Sequence, residues 1–271
     1  MSRVTWLVLA LLATGCGEST GTINGITLDP AGNLVVAYGG FNLVRVVDPS
    51  DGRTLRTQET GVRVPDDVEA GPDGALWWTS LLSGEVGYAN AAGEAIILAD
   101  LGAGVNPIAL APDGRLIVAR CNLGNDVYSL DPYTPSQPVR VFPDAGEGCG
   151  LNGMLFGADG WLYGAQPTMG RLVRVRLEDR TLEVLAEGLS PEAYAVALSP
   201  EGTVYAVDGR RVVRVGQGGT VETFVELPVG GDNLVFSADG SELFVSTGPD
   251  MRVLAYDRQG RERVLLQGPP R

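Results

Sequence analysis

The 271-residue chain contains no histidine and no lysine; all twenty of its basic residues are arginine. These absences exclude much chemistry. No Ser-His-Asp or Cys-His nucleophile system can form, no imidazole can bind a metal, and no lysine can make a Schiff base. Any catalysis must use carboxylates, arginine, tyrosine, backbone groups or a metal ion. Positive charge is also scarce overall: the formal net charge is −13, which argues against a nucleic-acid partner, since that needs clustered cations. The arginine clusters Arg171, Arg174, Arg176 and Arg210, Arg211, Arg214 fall in strand-like segments and read as solvated faces. No apolar run is long enough to span a bilayer, and none after Leu12 has a sustained helical period.

Cysteine is nearly absent, with three residues in all. The first ends a targeting signal: Arg3 is the charged start, Val4 to Leu12 the apolar stretch, and Leu12-Ala13-Thr14-Gly15-Cys16 the processing site. Small residues before Cys16 resemble a bacterial lipobox. The resemblance implies a signal peptide over 1–15, lipidation of Cys16, and a tether over 16–21. Gly17, not Asp, follows the cysteine, which points to the outer membrane, facing the periplasm or the surface. The membrane contact is then the lipid alone. An ordinary cleaved signal peptide is the alternative.

Glycine, by contrast, is abundant and periodic. A short strand followed by a glycine turn recurs six times, from Ile26-Thr27-Leu28 with Gly32 to Leu234-Val235-Phe236 with Gly240, about every 40 residues. Each repeat divides into four strand-like pieces; in the second they are Val68–Ala70, Ala75–Thr79, Glu85–Ala89 and Ala95–Ala99. The expectation is an all-β, six-bladed β-propeller over 22–271, four antiparallel strands per blade. Ring closure should rest on packing of blade six against blade one. Trp77, Trp78 and Trp161 should pack between blades. Cys121, after the second strand of blade three, and Cys149, in the connection into blade four, then lie on one face as neighbours. They form a disulfide or remain two partly buried thiols.

Two residues ahead of each inner strand stand Asn24, Asp66, Asn106, Asn152, Tyr194 and Asp232. On a ring these positions meet at the channel mouth. Any one Asn-Gly pair is also an ordinary turn dipeptide. Two carboxylates crowded together call for a cation between them, and carboxylate with amide oxygens suits Ca²⁺ first and Mg²⁺ second.

The repeat region resembles the six-bladed SMP-30/gluconolactonase propellers and, more distantly, the paraoxonase lactonases. Leu151-Asn152-Gly153-Met154 resembles an Asn-Gly strand that bears a metal ligand. Asp232-Asn233-Leu234 resembles a calcium-site pair, and Asp66-Asp67-Val68-Glu69 a segment whose ligand is Asn. The resemblance implies metal ligands Asn152, Asp232 and, with a substitution, Asp66, with Asp232 as proton carrier; position on the ring adds Asn106 and Asn24 as candidate ligands. Asn24 departs from the family's Glu, and its histidine dyad is missing. Pro72-Asp73-Gly74-Ala75-Leu76-Trp77 also resembles the repeats of virginiamycin B lyase, whose histidine base this chain lacks.

Arg120, Asn122 and Tyr194 are the candidate contacts to a small neutral ligand such as a lactone. The sequence reading is thus a calcium-dependent lactonase or esterase of the cell envelope. Its rival is a non-catalytic propeller that binds a ligand or a protein partner.

Overall fold

The computed structural model describes residues 21–121 and 123–270. The signal segment, Cys16 and its tether up to residue 20, and Asn122, lie outside the described residues. Among the described residues no helix is long and apolar enough to cross a membrane. The chain forms six four-stranded antiparallel sheets, each contiguous in sequence and each a blade. The inner strands are Thr22–Leu28, Pro65–Ala70, Val105–Leu110, Asn152–Phe156, Val196–Leu198 and Leu234–Phe236.

Valine, leucine and aromatic residues fill the second strands, which are the most buried; Leu34–Gly39, Leu76–Ser80 and Leu162–Gln166 have no exposed residue. Between the first two strands of a blade the recurring turn reverses the chain. In blade two Gly71 N–H donates to Ala75 O at 2.9 Å and Gly74 N–H to Gly71 O at 3.1 Å, while Asp73 Oδ1 accepts from Ala75 N–H. Gly74 takes φ +77° there, a conformation that costs a side-chain-bearing residue far more. The Asp-Gly phrase of the sequence is therefore this turn.

Blades cohere through apolar seams between neighbours. Trp78 lies in the seam of blades one and two, Trp77 in that of blades two and three, and Trp161 between blades four and five. All three tryptophans are packing residues, as expected; Arg174 and Arg176 stack over Trp161 at 4.4 and 4.3 Å. The ring closes without strand exchange. Ile23, Ile26, Val36 and Tyr38 of blade one pack on Phe244, Val253 and Ala255 of blade six, and Arg263 of the last strand donates to Pro49 O at 2.7 Å. Arginines on the third strands of blades four and five face acids on the neighbouring strands or turns: Arg174 meets Glu183 at 2.7 Å and Arg214 meets Glu222 at 2.6 Å. These are solvated strand faces.

Cys121 and Cys149 form a disulfide across 28 residues. It ties the loop after the second strand of blade three to the connection entering blade four. Closing a loop of that length restricts the unfolded chain, a stabilisation of roughly 3–4 kcal/mol in the loop-entropy model. Cys149→Ser should therefore lower the melting temperature of the oxidised protein by about 6–12 °C. Reductant should lower wild type to the same value and leave the variant unmoved; a reductant effect equal in both would contradict the assignment.

Candidate functional site: the acidic axis

Four inner strands begin earlier than their apolar pattern indicates. Asn24, Asp66, Asn106 and Asn152 lie inside the inner strands of blades one to four, at register shifts in the pairing: between Ile23 and Ile26, between Pro65 and Val68, opposite Val118–Arg120, and between Asn152 and Leu155. Each is a bulge, a device that re-aims side chains near functional sites. In blades five and six the inner strand has three residues, and Tyr194 and Asp232 stand ahead of it.

The turn reading of the two Asn-Gly pairs is thus corrected. Both sit in bulged inner strands, and their glycines serve close approach between blades. A Cβ on Gly25 would lie 2.4 Å from Asp67 Oδ1, and one on Gly153 would lie 2.4 Å from Ala195 Cα. Backbone packing at the axis, not chain reversal, selects glycine here.

Three of the expected residues converge. Asn24 Nδ2 donates to Asp66 Oδ1 at 3.0 Å. The Asp66 carboxyl is held well above the usual carboxylate range, first by burial, then by the charges of Asp232 and Asp67; the Asn24 hydrogen bond opposes this. Asp232 is pushed up to about 6 by burial. Tyr194 adjoins it: burial and the charges of Glu192 and Asp232 raise its phenol, which stays protonated. Solvent reaches Asp66 and Asp232 only in part.

The other candidates are at the right phase but are not joined to this group. Asn152 Oδ1 accepts from its own neighbour Gly153 N–H at 2.9 Å. The Asn106 backbone carbonyl accepts from Thr79 Oγ1, and its side-chain amide makes no hydrogen bond among the described residues. Arg120 makes no ion pair there; its guanidinium donates to Ala103 O at 3.0 Å while Nε is buried without a partner.

Beneath the mouth the sequence reading missed a second layer. Asp67 Oδ1 accepts from Asn233 Nδ2 at 3.0 Å, joining blade two to blade six in front of blade one. Gly25, with no side chain, leaves the room for it. Asp67 Oδ2 accepts from Ile108 N–H at 3.1 Å and Oδ1 from Val68 N–H at 3.0 Å. One layer further along, Glu69 repeats the pattern with Ala70 N–H at 2.9 Å and Leu110 N–H at 3.3 Å. The two acids thus satisfy N–H groups on the free inner edge of blade three, which no neighbouring strand pairs. The available signal was three carboxylates within four residues, Asp66 to Glu69, in a strand that the repeat places on the axis.

Burial pushes Asp67 up to about 8 and Glu69 to about 7, with the backbone donors opposing. Among the described residues no arginine forms an ion pair with any of the four axial acids, and the charges that bear on Asp66 and Asp67 are those of other axial acids. Among the described residues no group of three or more Asp, Glu, His or Cys forms a ready cation cluster. What the mouth offers is the Asp66 carboxyl, on which the charge of Asp232 bears, and the Asn24 amide, whose N–H already meets Asp66. Oxygen groups of this kind suit a hard cation such as Ca²⁺ better than a soft one.

No family model and no curated protein matches the chain in sequence. Solved structures do match in fold. The chain is similar to a streptogramin B lyase at 14% identity and TM-score 0.70, covering 94% of this chain and 86% of that one. A gluconolactonase from Xanthomonas campestris matches at 18% identity and TM-score 0.70, over 86% and 85%. A catalytically inactive histidine-to-alanine variant of virginiamycin B lyase from Staphylococcus aureus, with quinupristin, matches at 13% identity and TM-score 0.67, over 93% and 86%. The chain shares the gluconolactonase and virginiamycin B lyase propeller fold. The histidine removed from the lyase variant has no counterpart in this propeller, because the sequence contains none.

The raised carboxyls set the pH response. A folded pKa above the unfolded one means that the folded state binds the proton more tightly. That stabilisation is complete below the unfolded value, 4.5 for Glu69, and is lost as pH rises through about 7. Asp232 and Asp67 act in the same direction, through about 6 and about 8. In chelator, melting temperature should fall from about pH 5 to about pH 8.5. Glu69→Gln should shrink that fall by about 2–4 °C, the shift expected for roughly 1 kcal/mol. A melting temperature that climbs over this range, or a variant with the wild-type slope, would overturn the reading.

Proposed function

We propose that the channel mouth is a cation-assisted hydrolytic site for lactones or related carboxylic esters, on a propeller anchored to the cell envelope through lipid at Cys16. The observation that carries this reading is the meeting of Asp66 and Asp232 at the mouth with no cationic side chain beside them. Likeness in fold to a gluconolactonase supports it. The absence of histidine argues against the chemistry of the lyases, and Asp232 is the remaining proton carrier.

Asp66 and Asp232, with amide oxygens of Asn24, Asn106 and Asn152, would hold the ion, Ca²⁺ in preference to Mg²⁺. When bound, the ion supplies Lewis-acid polarisation of the ester carbonyl. Asp232, with a carboxyl near 6, is ionised at neutral pH and accepts the proton of the attacking water. The water oxygen bonds to the carbonyl carbon, the carbon–oxygen ester bond breaks, and the released alkoxide takes the proton. Tyr194 keeps its proton and offers an O–H donor at the edge of the mouth. Arg120, at the end of the second strand of blade three, and Asn122, which lies outside the described residues, are the further candidates to contact the substrate.

One observation favours the rival reading of a ligand- or protein-binding propeller: Asn24 already occupies an Asp66 oxygen with its own N–H. A pH-stat screen of lactones and esters separates the two. The hydrolase reading expects turnover that chelator abolishes and that Asp232→Ala lowers by about 10²-fold or more, the scale of a lost general base. Turnover indifferent to both would contradict it. Absence of turnover with a calcium-dependent rise in melting temperature would support the binding reading.

A further inference from the structure

The channel has a second end. On the face of the Asp-Gly turns it widens into a cavity of about 300 Å³, within the range of small-ligand sites. None of the mouth residues Asn24, Asp66, Asn106, Tyr194 or Asp232 lines it. Its walls include Met154, Leu155, Val196, Leu198, Val235 and Phe236.

The carboxyl residues Glu69 and Asp67 also line the cavity, with Thr27, Asn233 and Ser237 as further polar groups. Asp67 is buried and accepts from three donors, Val68 N–H, Ile108 N–H and the Asn233 amide. Glu69 is only half-buried and accepts two backbone N–H groups, with the Thr27 hydroxyl bearing on it, out of about four acceptor positions on a carboxylate. Acceptor capacity remains on Glu69, and among the described residues no arginine pairs with it. A carboxylate in an apolar enclosure calls for a cation with its own hydrogen-bond donors. A hydrated divalent ion is ill matched to walls of leucine, valine and phenylalanine. An ammonium on a short hydrocarbon chain matches both halves of the site.

We propose that this cavity is a second binding site, for a small primary amine. Its hydrocarbon chain lies between blades four, five and six and its ammonium rests on the Glu69 carboxylate. No mouth residue lines the cavity, so the site does not depend on the hydrolase reading. The chain has no lysine, so no lysine of a second copy supplies the ammonium.

Titration calorimetry of the purified protein with hexylammonium chloride tests the assignment, with hexanol and hexanoate as probes of equal chain length. Hexylammonium should bind at least about ten-fold tighter than either, and Glu69→Gln should weaken it about ten-fold, equivalent to about 1.4 kcal/mol. Ala238→Trp, at the exposed rim of the cavity, should also weaken it while leaving the melting temperature unchanged. Saturating calcium should not compete. Equal binding of hexanoate, indifference to both variants, or displacement by calcium would each overturn the proposal; displacement would put the ammonium at the mouth.

Discussion

The structure depends on the cost of placing carboxylates on the axis of a closed apolar ring. A buried carboxylate is tolerated only where donors or a cation replace its water. Asp67 and Glu69 meet that condition inside the protein, each bridging its own strand to the free edge of blade three. Asp66 and Asp232 do not: one amide N–H from Asn24 opposes burial and their mutual repulsion. The axis is thus divided into an internally satisfied layer and an unsatisfied mouth, and the unsatisfied part is where a ligand has most to contribute.

Departures from six-fold symmetry shape the mouth. Bulges carry Asn24, Asp66, Asn106 and Asn152 in blades one to four, whereas in blades five and six Tyr194 and Asp232 stand ahead of three-residue inner strands. Gly25 allows the Asp67–Asn233 bond to cross in front of blade one. Asp67 and Asn233 each follow a mouth residue directly in sequence and line the cavity on the other side.

Blade number, strand order and the packing role of the tryptophans were legible in the sequence, because turn glycines and alternating apolar residues report local backbone demands. The mouth was legible in part. Phase within the repeat located Asn24, Asp66 and Asp232 together, but Asn152 spends its carbonyl on Gly153, a local choice that a repeat cannot register. Asp67, Glu69 and Asn233 escaped notice because their partners, Ile108, Leu110 and each other, come from different blades. The Asn-Gly pairs carried the wrong local meaning. Asn24-Gly25 and Asn152-Gly153 look like hairpin turns, and only the approach of Asp67 and Ala195 explains their glycines.

The central claim is that the Asp66–Asp232 pair marks a cation site at the mouth. A crystal structure of the protein grown in calcium chloride tests it most directly. The account predicts one ion at the mouth, about 2.3–2.6 Å from an oxygen of each carboxylate, with amide oxygen completing its shell. A mouth that holds only water, with Asp66 and Asp232 sharing a proton or turned apart, would contradict it.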